Sequence, residues 1–542
     1  GIYIYMDTLT YRKFRNGDGV VSAEKLPNAA RPYSNFDPYL IGLQKEFNEQ
    51  LWTHKNPYTG LMYKDDPAIV MTEIANENQV FEYMKKLEEP YKNQLEDRYR
   101  KWLKGKDIDN CDHPINLNSE EKNVIEFLVQ VQTEYFKEIY DHLRSIGVKI
   151  PIAGTNWQKG GMATLASHAQ MDFADSHSYW YDFTWDVANR KFRNDSMTGD
   201  MGNFYMKLSC MRLSDKPFFV SEWDGPWPNE WRAEITLNLA AVSSLQGWSG
   251  TAIHTYSYDC RHNVDQIAQP ITSDALAGVA YRSGVFSTFN DPAKFGLFYH
   301  ASLMFRRGDV WEHDTMTEIV LDDITHVPDN SENRSIMKVR DIRAALGASE
   351  VCKIGMRLPN TKKNPGTHEI GVNSTIVNPE SAELRSKTGE LYRNIEKKYG
   401  IIDTPRTKSA YGFIGTAGIL KMKGMLVKSH TDFATIAISS LSDSDISDSD
   451  NMLLTAIGRA DNTAAEYNID HTVQFKTGHG PVLAEVVEAE IEIETNISSL
   501  QVWSVNTMGG LIGRMPGTFK EGKFTFTIGK SFPSVYYIIQ KF

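Results

Sequence analysis

The sequence predicts a mixed α/β fold in which a barrel of parallel strands precedes a region built mainly of strands. Two patterns support this fold class. From residue 1 to about residue 310, short apolar runs alternate with amphipathic helical segments, as in a parallel sheet covered by helices. After about residue 310, strand-like runs are separated by turn residues, which is typical of a β-sandwich. We therefore expect a (β/α)₈-type barrel domain over residues 1–310 and a β-sandwich domain over residues 311–542.

The barrel region contains six apolar runs that predict strands. They are Ile2 to Asp7, Ala68 to Glu73, Ile150 to Gly154, Phe173 to His177, Phe218 to Glu222 and Gly250 to Thr255. Helices are predicted over Pro38 to His54, Asn123 to Ile146, Glu230 to Gln246 and Ala293 to Arg306, and the charged segment Tyr83 to Lys106 is predicted as an insertion above the barrel mouth. Because a closed barrel has about eight such units and the sequence opens inside a strand, we expect two units upstream of Gly1. An open doubly wound sheet is the alternative, but the sequence lacks its Gly-rich phosphate turn.

The region after residue 310 contains nine predicted strands. They are Ile319 to Leu321, Ser335 to Val339, Ile419 to Leu426, Phe433 to Ser439, Leu453 to Gly458, Leu483 to Ile493, Gln501 to Ser504, Phe524 to Ile528 and Ser534 to Ile539. The acidic stretch from Asp443 to Asp450 lacks the Gly and the terminal Glu of a calcium-binding EF-hand loop. We interpret it as a solvated hairpin tip.

Composition excludes several classes of partner. The net charge is −11 and charges of both signs are mixed along the chain, which does not favour nucleic acid or an anionic membrane surface. No apolar run reaches the roughly 18 residues that span a bilayer. The four cysteines have no metal-ligand spacing, and the chain contains no HExxH motif, phosphate-binding loop or GxSxG nucleophile turn.

Two glutamates, Glu77 and Glu222, each follow an apolar run that predicts a strand. The active site of a barrel lies at the carboxyl ends of its strands, so both side chains are expected to enter one cleft. Hydrolysis of a glycosidic bond with retention requires two carboxyl groups about 5 Å apart. A single glutamate at a strand end is more often a solvated charge or a capping group, whereas the pair indicates this chemistry.

The residues around both glutamates carry a family resemblance. Asn76-Glu77 and Ser221-Glu222-Trp223 resemble the fourth- and seventh-strand motifs of the clan of retaining (β/α)₈ glycosidases that includes the cellulase-like family five. The resemblance implies that Glu77 is the acid/base, that Glu222 is the nucleophile and that Asn76 binds the substrate 2-hydroxyl. His177-Ser-Tyr179 resembles the His-x-Tyr that orients the nucleophile and contacts the sugar.

Other segments resemble bacterial cellulase-like barrels that carry a β-domain, so the resemblance covers most of the chain. They are Phe36-Asp-Pro, His54-Lys-Asn-Pro-Tyr-Thr-Gly60 and the segment from Leu453 to Thr463. Two features of the clan are not matched. Its second-strand Arg, which supports the nucleophile, cannot be located because that strand is expected upstream of Gly1. Ala252-Ile-His-Thr-Tyr256 stands where many members place a Trp that stacks on the sugar.

Further candidates for substrate contact lie in the loops after the predicted strands. They are Asn156, Trp157, His177, Tyr179, Trp223, His254 and Tyr256, with Trp180, Trp185 and Trp227 as additional aromatic platforms. A packed core position is an equally good interpretation of His254 and of any single Trp.

These features predict a retaining glycoside hydrolase that cleaves β-linked glucan or a related polysaccharide without a metal or an organic cofactor. We expect the charge of Glu222 to raise the pKa of Glu77. The alternatives are an exo-β-mannosidase, a β-galactosidase, or a barrel that binds carbohydrate without turnover. A polysaccharide substrate favours an extracellular or periplasmic location. The sequence does not determine the oligomeric state.

Overall fold

The computed structural model describes residues 1–108, 114–157, 159–181, 184, 189–256, 285–325, 337–506 and 508–541. The described chain has mixed α/β content and a strand-rich C-terminal region. It contains eight described helices, and none of these is long and apolar enough to cross a membrane. They are α1 Pro38–Thr53, α2 Tyr91–Gly105, α3 Lys122–Ser145, α4 Leu165–His168, α5 Phe204–Ser209, α6 Ile235–Gln246, α7 Pro292–Phe295 and α8 Phe298–Arg307.

Six parallel strands occupy the first region and follow one another in chain order. They are β1 Ile4–Asp7, β2 Ile69–Glu73, β3 Ile152–Ala153, β4 Ala174–Tyr179, β6 Phe218–Asp224 and β7 Gly250–Ile253, while the short β5 Arg190–Lys191 lies outside this set. Strands β1 to β3 form one sheet and β4, β6 and β7 another. Backbone bonds from Asp172 N to Ile152 O and from His177 N to Asn156 O, each 3.0 Å, join them. All six carboxyl ends therefore lie at one edge.

The six predicted strands are confirmed to within two residues at each end. Tyr5 of β1 shows that these strands curve around a common interior. Its hydroxyl donates to Asp175 of β4 at 2.6 Å, and its ring meets Phe219 of β6 edge-on at 5.6 Å. A flat sheet would not bring its first strand against its fourth and fifth.

The helices form where the sequence supplies caps and an apolar face. Asp37 accepts a hydrogen bond from Leu40 N at 2.9 Å and Pro38 occupies the first turn, which begins α1 as predicted. The helix predicted from Glu230 begins only at Ile235, and the helix predicted over Ala293 to Arg306 is divided into α7 and α8. The predicted charged insertion contains α2.

A third parallel sheet changes where the two parts of the chain should be divided. It contains β8 Thr317–Val320, β9 Ile354–Arg357 and β10 His368–Gly371 in the order β10-β8-β9. Met356 N donates to Arg212 O at 2.7 Å, and the buried side chains of this sheet share one hydrophobic core with Leu213 and Phe218. A boundary at residue 310 would cut through that core, so we propose a division after this sheet.

The remaining strands are antiparallel and form two large sheets and two small ones. The bounds are β11 Glu383–Arg385, β12 Leu391–Asn394, β13 Tyr399–Asp403, β14 Thr407–Gly412, β15 Ile419–Met422, β16 Met425–Ser429, β17 Ala434–Ser440, β18 Asn451–Ile457, β19 Ala460–Thr463, β20 Glu466–Tyr467, β21 Val473–Lys476, β22 His479–Ala484, β23 Ala489–Glu494, β24 Leu500–Val505, β25 Leu511–Met515, β26 Gly517–Lys520, β27 Lys523–Ile528 and β28 Tyr536–Lys541. One large sheet has nine strands, in the order β11-β12-β13-β14-β17-β18-β28-β24-β25, and the other has five, in the order β15-β16-β23-β27-β26. Their buried side chains form one shared core, a feature that the expected β-sandwich requires.

Several strand predictions in this region need correction. The run Ile419 to Leu426 is a hairpin of β15 and β16 that turns at Gly424 with φ +72°, a conformation that favours glycine. The run Leu483 to Ile493 holds the end of β22 and most of β23. In the predicted strand Ser335 to Val339, the first two residues lie outside the described chain and Val339 begins a short 3₁₀ turn. The acidic stretch connects β17 to β18, as predicted.

Helix α6 joins the barrel region to the sandwich region. All twelve of its residues are buried. Ile235, Leu239 and Val242 pack into the barrel core, whereas Leu237 and Leu245 pack into a core shared with the nine-stranded sheet. A helix that is covered on every side by protein has no polar face to expose, so its buried polar residues, such as Ser243 and Gln246, donate to backbone carbonyls instead.

Arg232, just before α6, forms a buried ion pair with Asp291 and a hydrogen bond to the C-terminal region. Arg232 donates to both carboxylate oxygens of Asp291 at 2.6 and 3.2 Å, and to the carbonyl of Ala460 at 2.7 Å. Both charged side chains are fully buried.

We expect Arg232→Met to lower the free energy of unfolding by about 3–5 kcal/mol, because it leaves the Asp291 carboxylate buried without its partner. Urea denaturation followed by tryptophan fluorescence would measure the shift. Lys45→Met is the matched control, because Lys45 and Glu138 form an ion pair whose side chains are 32% and 48% exposed. That control should lose less than about 1 kcal/mol. Equal losses in the two variants would contradict the role of Arg232.

Candidate active site

Glu77 lies just after β2 and is held in an uncommon backbone conformation. Its φ is +45°, which is costly for a residue other than glycine. Both of its peptide groups are fixed: its N–H donates to Asn156 Oδ1 at 3.0 Å, and its carbonyl accepts from Arg31 Nη1 at 2.9 Å. Its side chain accepts from the hydroxyl of Tyr11 at 3.0 Å. These contacts direct the carboxylate into the space between the strand ends.

Glu222 lies within β6 and faces the same space. The hydroxyl of Tyr179, at the end of β4, donates to Glu222 Oε2. His254, just after β7, places Nδ1 3.7 Å from the same oxygen. Side chains from three neighbouring strands therefore meet at this carboxylate.

His177 lies between the two glutamates. Its Nδ1 is 3.0 Å from Glu77 Oε1 and 3.4 Å from Glu222 Oε2, and its Nε2 is 2.8 Å from Ser221 Oγ. The imidazole is 1% exposed, whereas the two glutamate side chains are 13% and 19% exposed. One oxygen of each carboxylate and one nitrogen of His177 all lie within 4.8 Å of one another. The site thus presents two carboxylates, open to solvent on one side, around a buried imidazole.

Further carboxylates lie beneath this group. Glu73 and Asp175 are fully buried. Asn156 Nδ2 donates to Glu73 Oε2 at 2.7 Å, while Asp175 accepts from the Tyr5 hydroxyl and from the backbone N–H of Ser221. Burial raises the pKa of both carboxyls, and the negative charges of Asp7 and Asp175 raise the pKa of Glu73 further.

The pKa of Glu77 shifts in the direction opposite to the sequence expectation, and the pKa of Glu222 shifts upward. Burial acts to raise the pKa of Glu77, but the hydrogen bond and the charge of His177, the hydroxyl of Tyr11 and the charge of Arg31 outweigh it and lower the pKa. Burial raises the pKa of Glu222, assisted by the charge of Glu77 and opposed by His177 and Tyr179. The expected upward push on Glu77 is therefore overturned, because its hydrogen-bond donors are stronger than the repulsion from Glu222.

His177 has a raised pKa. Burial alone would lower it, but the negative charges of Glu222 and Glu77 favour the imidazolium. In the free protein the proton shared by the three groups is therefore best held on His177, from where it faces Glu77 Oε1.

The polar residues that are predicted to contact substrate fall into two groups, one beside the carboxylates and one buried beneath them. His177, Tyr179 and His254 lie at the carboxylates as predicted. Asn156 is 1% exposed and its amide is occupied by Glu73, Asn76 and the Glu77 N–H, so we assign it a positioning role in place of the expected contact with substrate. Asn76 is 4% exposed and its Oδ1 accepts from Asn156 Nδ2 at 2.9 Å.

The tryptophans that are predicted as sugar platforms differ in their surroundings. Trp157 borders a cavity beside His177 and Tyr179, as expected of a platform. Trp223 is buried and stacks on Phe298 of α8, because it alternates with Glu222 along β6 and points away from the site. Its predicted contact with sugar is therefore corrected. Trp180 and Trp227 are buried in packed positions, and Trp185 lies outside the described residues.

Tyr256 is separated from the carboxylates. Its ring is 54% exposed and contacts Phe289 and Phe295. None of its described contacts involves Glu77 or Glu222, so the structure gives no support to its predicted role.

Sequence reasoning missed Tyr11, Arg31 and Ser221. Tyr11 and Arg31 come from the irregular segment between β1 and α1, which shows no periodic pattern. The available signal was their position in the loop that follows a barrel strand, where functional residues concentrate. Ser221 precedes Glu222, and its role becomes visible only from its distance to His177.

A β-hairpin of the C-terminal region supports the wall of the site. Trp227, in the loop after β6, donates to Asp461 of β19 at 2.9 Å and packs with Phe286 and Val482. Phe286 in turn meets the rings of Tyr179 and His254 at 5.3 and 5.1 Å. The C-terminal region thus reaches, through two layers of side chains, the residues that contact Glu222.

The three groups Glu77, His177 and Glu222 are also of the types that bind divalent metals. Each is already occupied, however, since His177 faces both carboxylates, Tyr11 donates to Glu77 and Tyr179 donates to Glu222. An ion would have to replace these hydrogen bonds. The hydroxyl donors suit acid–base chemistry better than metal binding.

No protein-family model matches the sequence, and no curated protein matches it. Solved structures that are similar to the chain are glycoside hydrolases. An endo-β-1,4-mannanase from Thermotoga petrophila has 11% identity over 98% of this chain and 79% of its own, with a TM-score of 0.37. A GH42 β-galactosidase from G. stearothermophilus has 10% identity over 92% and 82%, with a TM-score of 0.36. An endo-1,4-β-mannanase from Rhizomucor miehei has 18% identity over 41% of this chain, which spans 54% of that enzyme, with a TM-score of 0.26. Similarities this low do not define a family.

We expect His177→Asn to move the alkaline limb of the pH profile of kcat/KM to lower pH. His177 has a raised pKa and keeps its proton above about pH 6.5, whereas a carboxyl left alone loses its proton near pH 4.3. Initial rates on an aryl β-glycoside between pH 3 and pH 9 would measure the shift, about two pH units or more on this basis. His254→Asn is the control, since burial and His177 lower the pKa of His254 to about 4 and its charge does not change near neutrality. An unmoved limb in His177→Asn would contradict this assignment.

Proposed function

We propose that the chain is a retaining glycoside hydrolase that cleaves β-linked polysaccharide by double displacement. The observation that carries the proposal is the separation of Glu77 and Glu222, whose nearest oxygens lie within 4.8 Å at the common edge of parallel strands. Retaining enzymes place their carboxyl groups about 5–5.5 Å apart, whereas inverting enzymes leave about 6.5–9.5 Å for a water molecule. The short separation favours direct attack by a carboxylate.

In the proposed first step, a carboxylate oxygen of Glu222 attacks the anomeric carbon and the glycosidic bond breaks. Glu77 donates a proton to the departing oxygen, which leaves as an alcohol. Because the pKa of Glu77 is low in the free protein, we place its proton on His177 Nδ1, 3.0 Å away, until the substrate excludes water. Transfer across this hydrogen bond supplies the acid at the moment of cleavage.

In the second step, water attacks the same carbon and displaces Glu222. The Glu77 carboxylate takes a proton from this water and passes it back to His177, which leaves the sugar with a free hydroxyl and restores the starting charges. The hydroxyl of Tyr179 orients Glu222 for attack and stabilises its negative charge when the ester is broken.

The assignment of roles follows the position of each residue. Glu77 lies in a loop with its backbone fixed from two sides, next to the proton on His177, which suits an acid. Glu222 lies within a strand and is oriented by Tyr179, which suits a nucleophile. The expected β-glucan substrate remains part of the proposal, with mannan and β-galactosides as the alternatives.

We expect the full-length protein to hydrolyse at least one aryl β-glycoside of a broad panel, and Glu222→Ala to lower the rate by a factor of about 10³ or more. Azide should rescue Glu222→Ala with formation of an α-glycosyl azide, and Glu77→Ala with formation of the β-azide. If Glu222→Ala gave the β-azide and Glu77→Ala gave the α-azide, the roles of nucleophile and acid/base would be reversed. Glu138→Ala, which removes a half-exposed surface glutamate, is the matched control and should keep the wild-type rate. Equal inactivity of wild type and Glu222→Ala would show that the barrel is not an enzyme.

The stereochemistry of the product tests the mechanism separately. We expect the β-anomer to form first, because two inversions at one carbon restore its configuration. Proton NMR of the anomeric signals in the first minutes of the reaction would identify it before mutarotation. Initial formation of the α-anomer would establish inversion and overturn the proposed role of Glu222.

A further inference from the structure

A cavity of about 440 Å³ adjoins the catalytic pair. His177 and Tyr179 form part of its wall, and both also contact Glu222. Trp157 and Tyr181 add aromatic surface. A sugar bound here would be next to the bond that is cleaved.

The rest of the cavity wall is positively charged. Lys159, Lys207, Lys338 and Arg340 all line it, and none of its described lining residues is acidic. This concentration is unexpected in a chain with a net charge of −11. Like charges gathered in a cleft raise its potential and attract anions.

The four cations come from three separate segments. Lys159 follows β3, Lys207 lies on α5, and Lys338 and Arg340 lie on the segment between β8 and β9. A backbone hydrogen bond of 2.8 Å from Met162 N to Met337 O fixes the last segment to the loop after β3. The fold therefore brings these charges together, whereas the sequence keeps them apart.

The three lysines form no ion pair with any described residue. The closest carboxylates are used elsewhere. Asp341 accepts from the backbone N–H of Lys338 at 2.8 Å and lies 4.0 Å from the exposed Arg340, and Glu82 accepts from Trp157 Nε1 at 3.2 Å. Lys159 Nζ lies over the ring of Trp157, 4.9 Å from its centre. Lys207 and Lys338 are exposed at the cavity wall and form no ion pair with a described carboxylate, so their ammonium groups are accessible to a ligand.

We infer that this cavity is a subsite for an anionic sugar unit, so that the substrate is an acidic β-linked glycan that carries carboxylate or sulfate groups. The inference rests on the proposed function and refines its substrate class. Trp157 supplies a stacking face for the ring and the lysines supply charge-assisted hydrogen bonds to the anion. A neutral glucan would use the aromatic surface and leave three ammonium groups without a partner.

The test compares matched pairs of oligosaccharides. Uronate-containing oligosaccharides are measured against their carboxyl-reduced forms, and sulfated oligosaccharides against their desulfated forms. For one of the two kinds of pair, we expect the wild type to show kcat/KM about tenfold or more higher for the acidic member at low salt. A preference within the uronate pairs identifies a carboxylate as the recognised anion, and a preference within the sulfated pairs identifies a sulfate. The preference should decrease at 0.5 M NaCl, because exposed charges are screened.

Variants show whether the lysines cause the preference. The double variant Lys207→Gln/Lys338→Gln should bring the ratio of acidic to neutral kcat/KM close to one. Lys421→Gln, an exposed lysine of β15 in the five-stranded sheet, is the matched control and should keep the wild-type ratio. A wild-type ratio of one or below in all pairs would overturn the inference, and so would a ratio that the double variant leaves unchanged.

Failure of the proposed function can be told apart from failure of this inference. If the protein hydrolyses neutral aryl glycosides but shows no preference for acidic members, only the subsite assignment is wrong. If it hydrolyses nothing, calorimetric titration of the same pairs into the full chain still measures the charge preference. Equal or absent binding of both members in every pair would then overturn the subsite as well.

Discussion

The site depends on the need to hold several carboxylates close together at one edge of a parallel sheet. Glu77 and Glu222 lie within 4.8 Å of one another, above the buried carboxyls of Glu73 and Asp175. Such a group repels itself unless protons and donors are provided. His177 meets this need from between the two glutamates, while Tyr11 donates to Glu77, Tyr179 donates to Glu222 and Asn156 donates to Glu73. The strand ends, the uncommon backbone of Glu77 and the burial of His177 all serve this arrangement.

The same constraint explains why the pKa directions differ from a simple pair of carboxylates. Two isolated glutamates at this distance would share one proton between themselves. A buried imidazole with a raised pKa holds that proton in their place and keeps it within reach of Glu77. In the proposed mechanism this proton reaches the leaving group without a permanently neutral Glu77 in the free protein. This is a property of three groups together.

The C-terminal region is part of the support of this site. Helix α6 is buried between the barrel strands and the nine-stranded sheet, and Arg232 ties the loop before it to Ala460. Asp461, next to Ala460 on β19, accepts a hydrogen bond from Trp227. Trp227 packs on Phe286, and Phe286 lies against Tyr179 and His254. Lys338, on the segment between β8 and β9, lines the cavity beside His177 and Tyr179. The two regions therefore meet around the strand ends, and a cut at residue 310 would divide one core.

The sequence by itself determined the parallel strands and the candidate glutamates. Apolar runs of strand length followed by amphipathic helices have few alternative folds, and residues at strand ends share one edge in any parallel sheet. Alternation along β6 could also have shown that Trp223 points away from Glu222, because neighbouring residues in a strand face opposite sides. The predicted contact of Trp223 with sugar is wrong because Trp223 lies within β6 and not in the loop that follows it.

Only the tertiary structure decided the rest, because it depends on contacts between residues far apart in the chain. Asn156 proved to fix Glu77, which is 79 positions earlier, and Tyr11 and Arg31 come from a loop without periodic signal. The lowered pKa of Glu77 results from His177 on β4 and from Tyr11 and Arg31 on the segment between β1 and α1, so no local pattern could give its direction. The sequence names the two carboxylates, and the packing around them sets the direction in which each pKa shifts and which charges line the adjoining cavity.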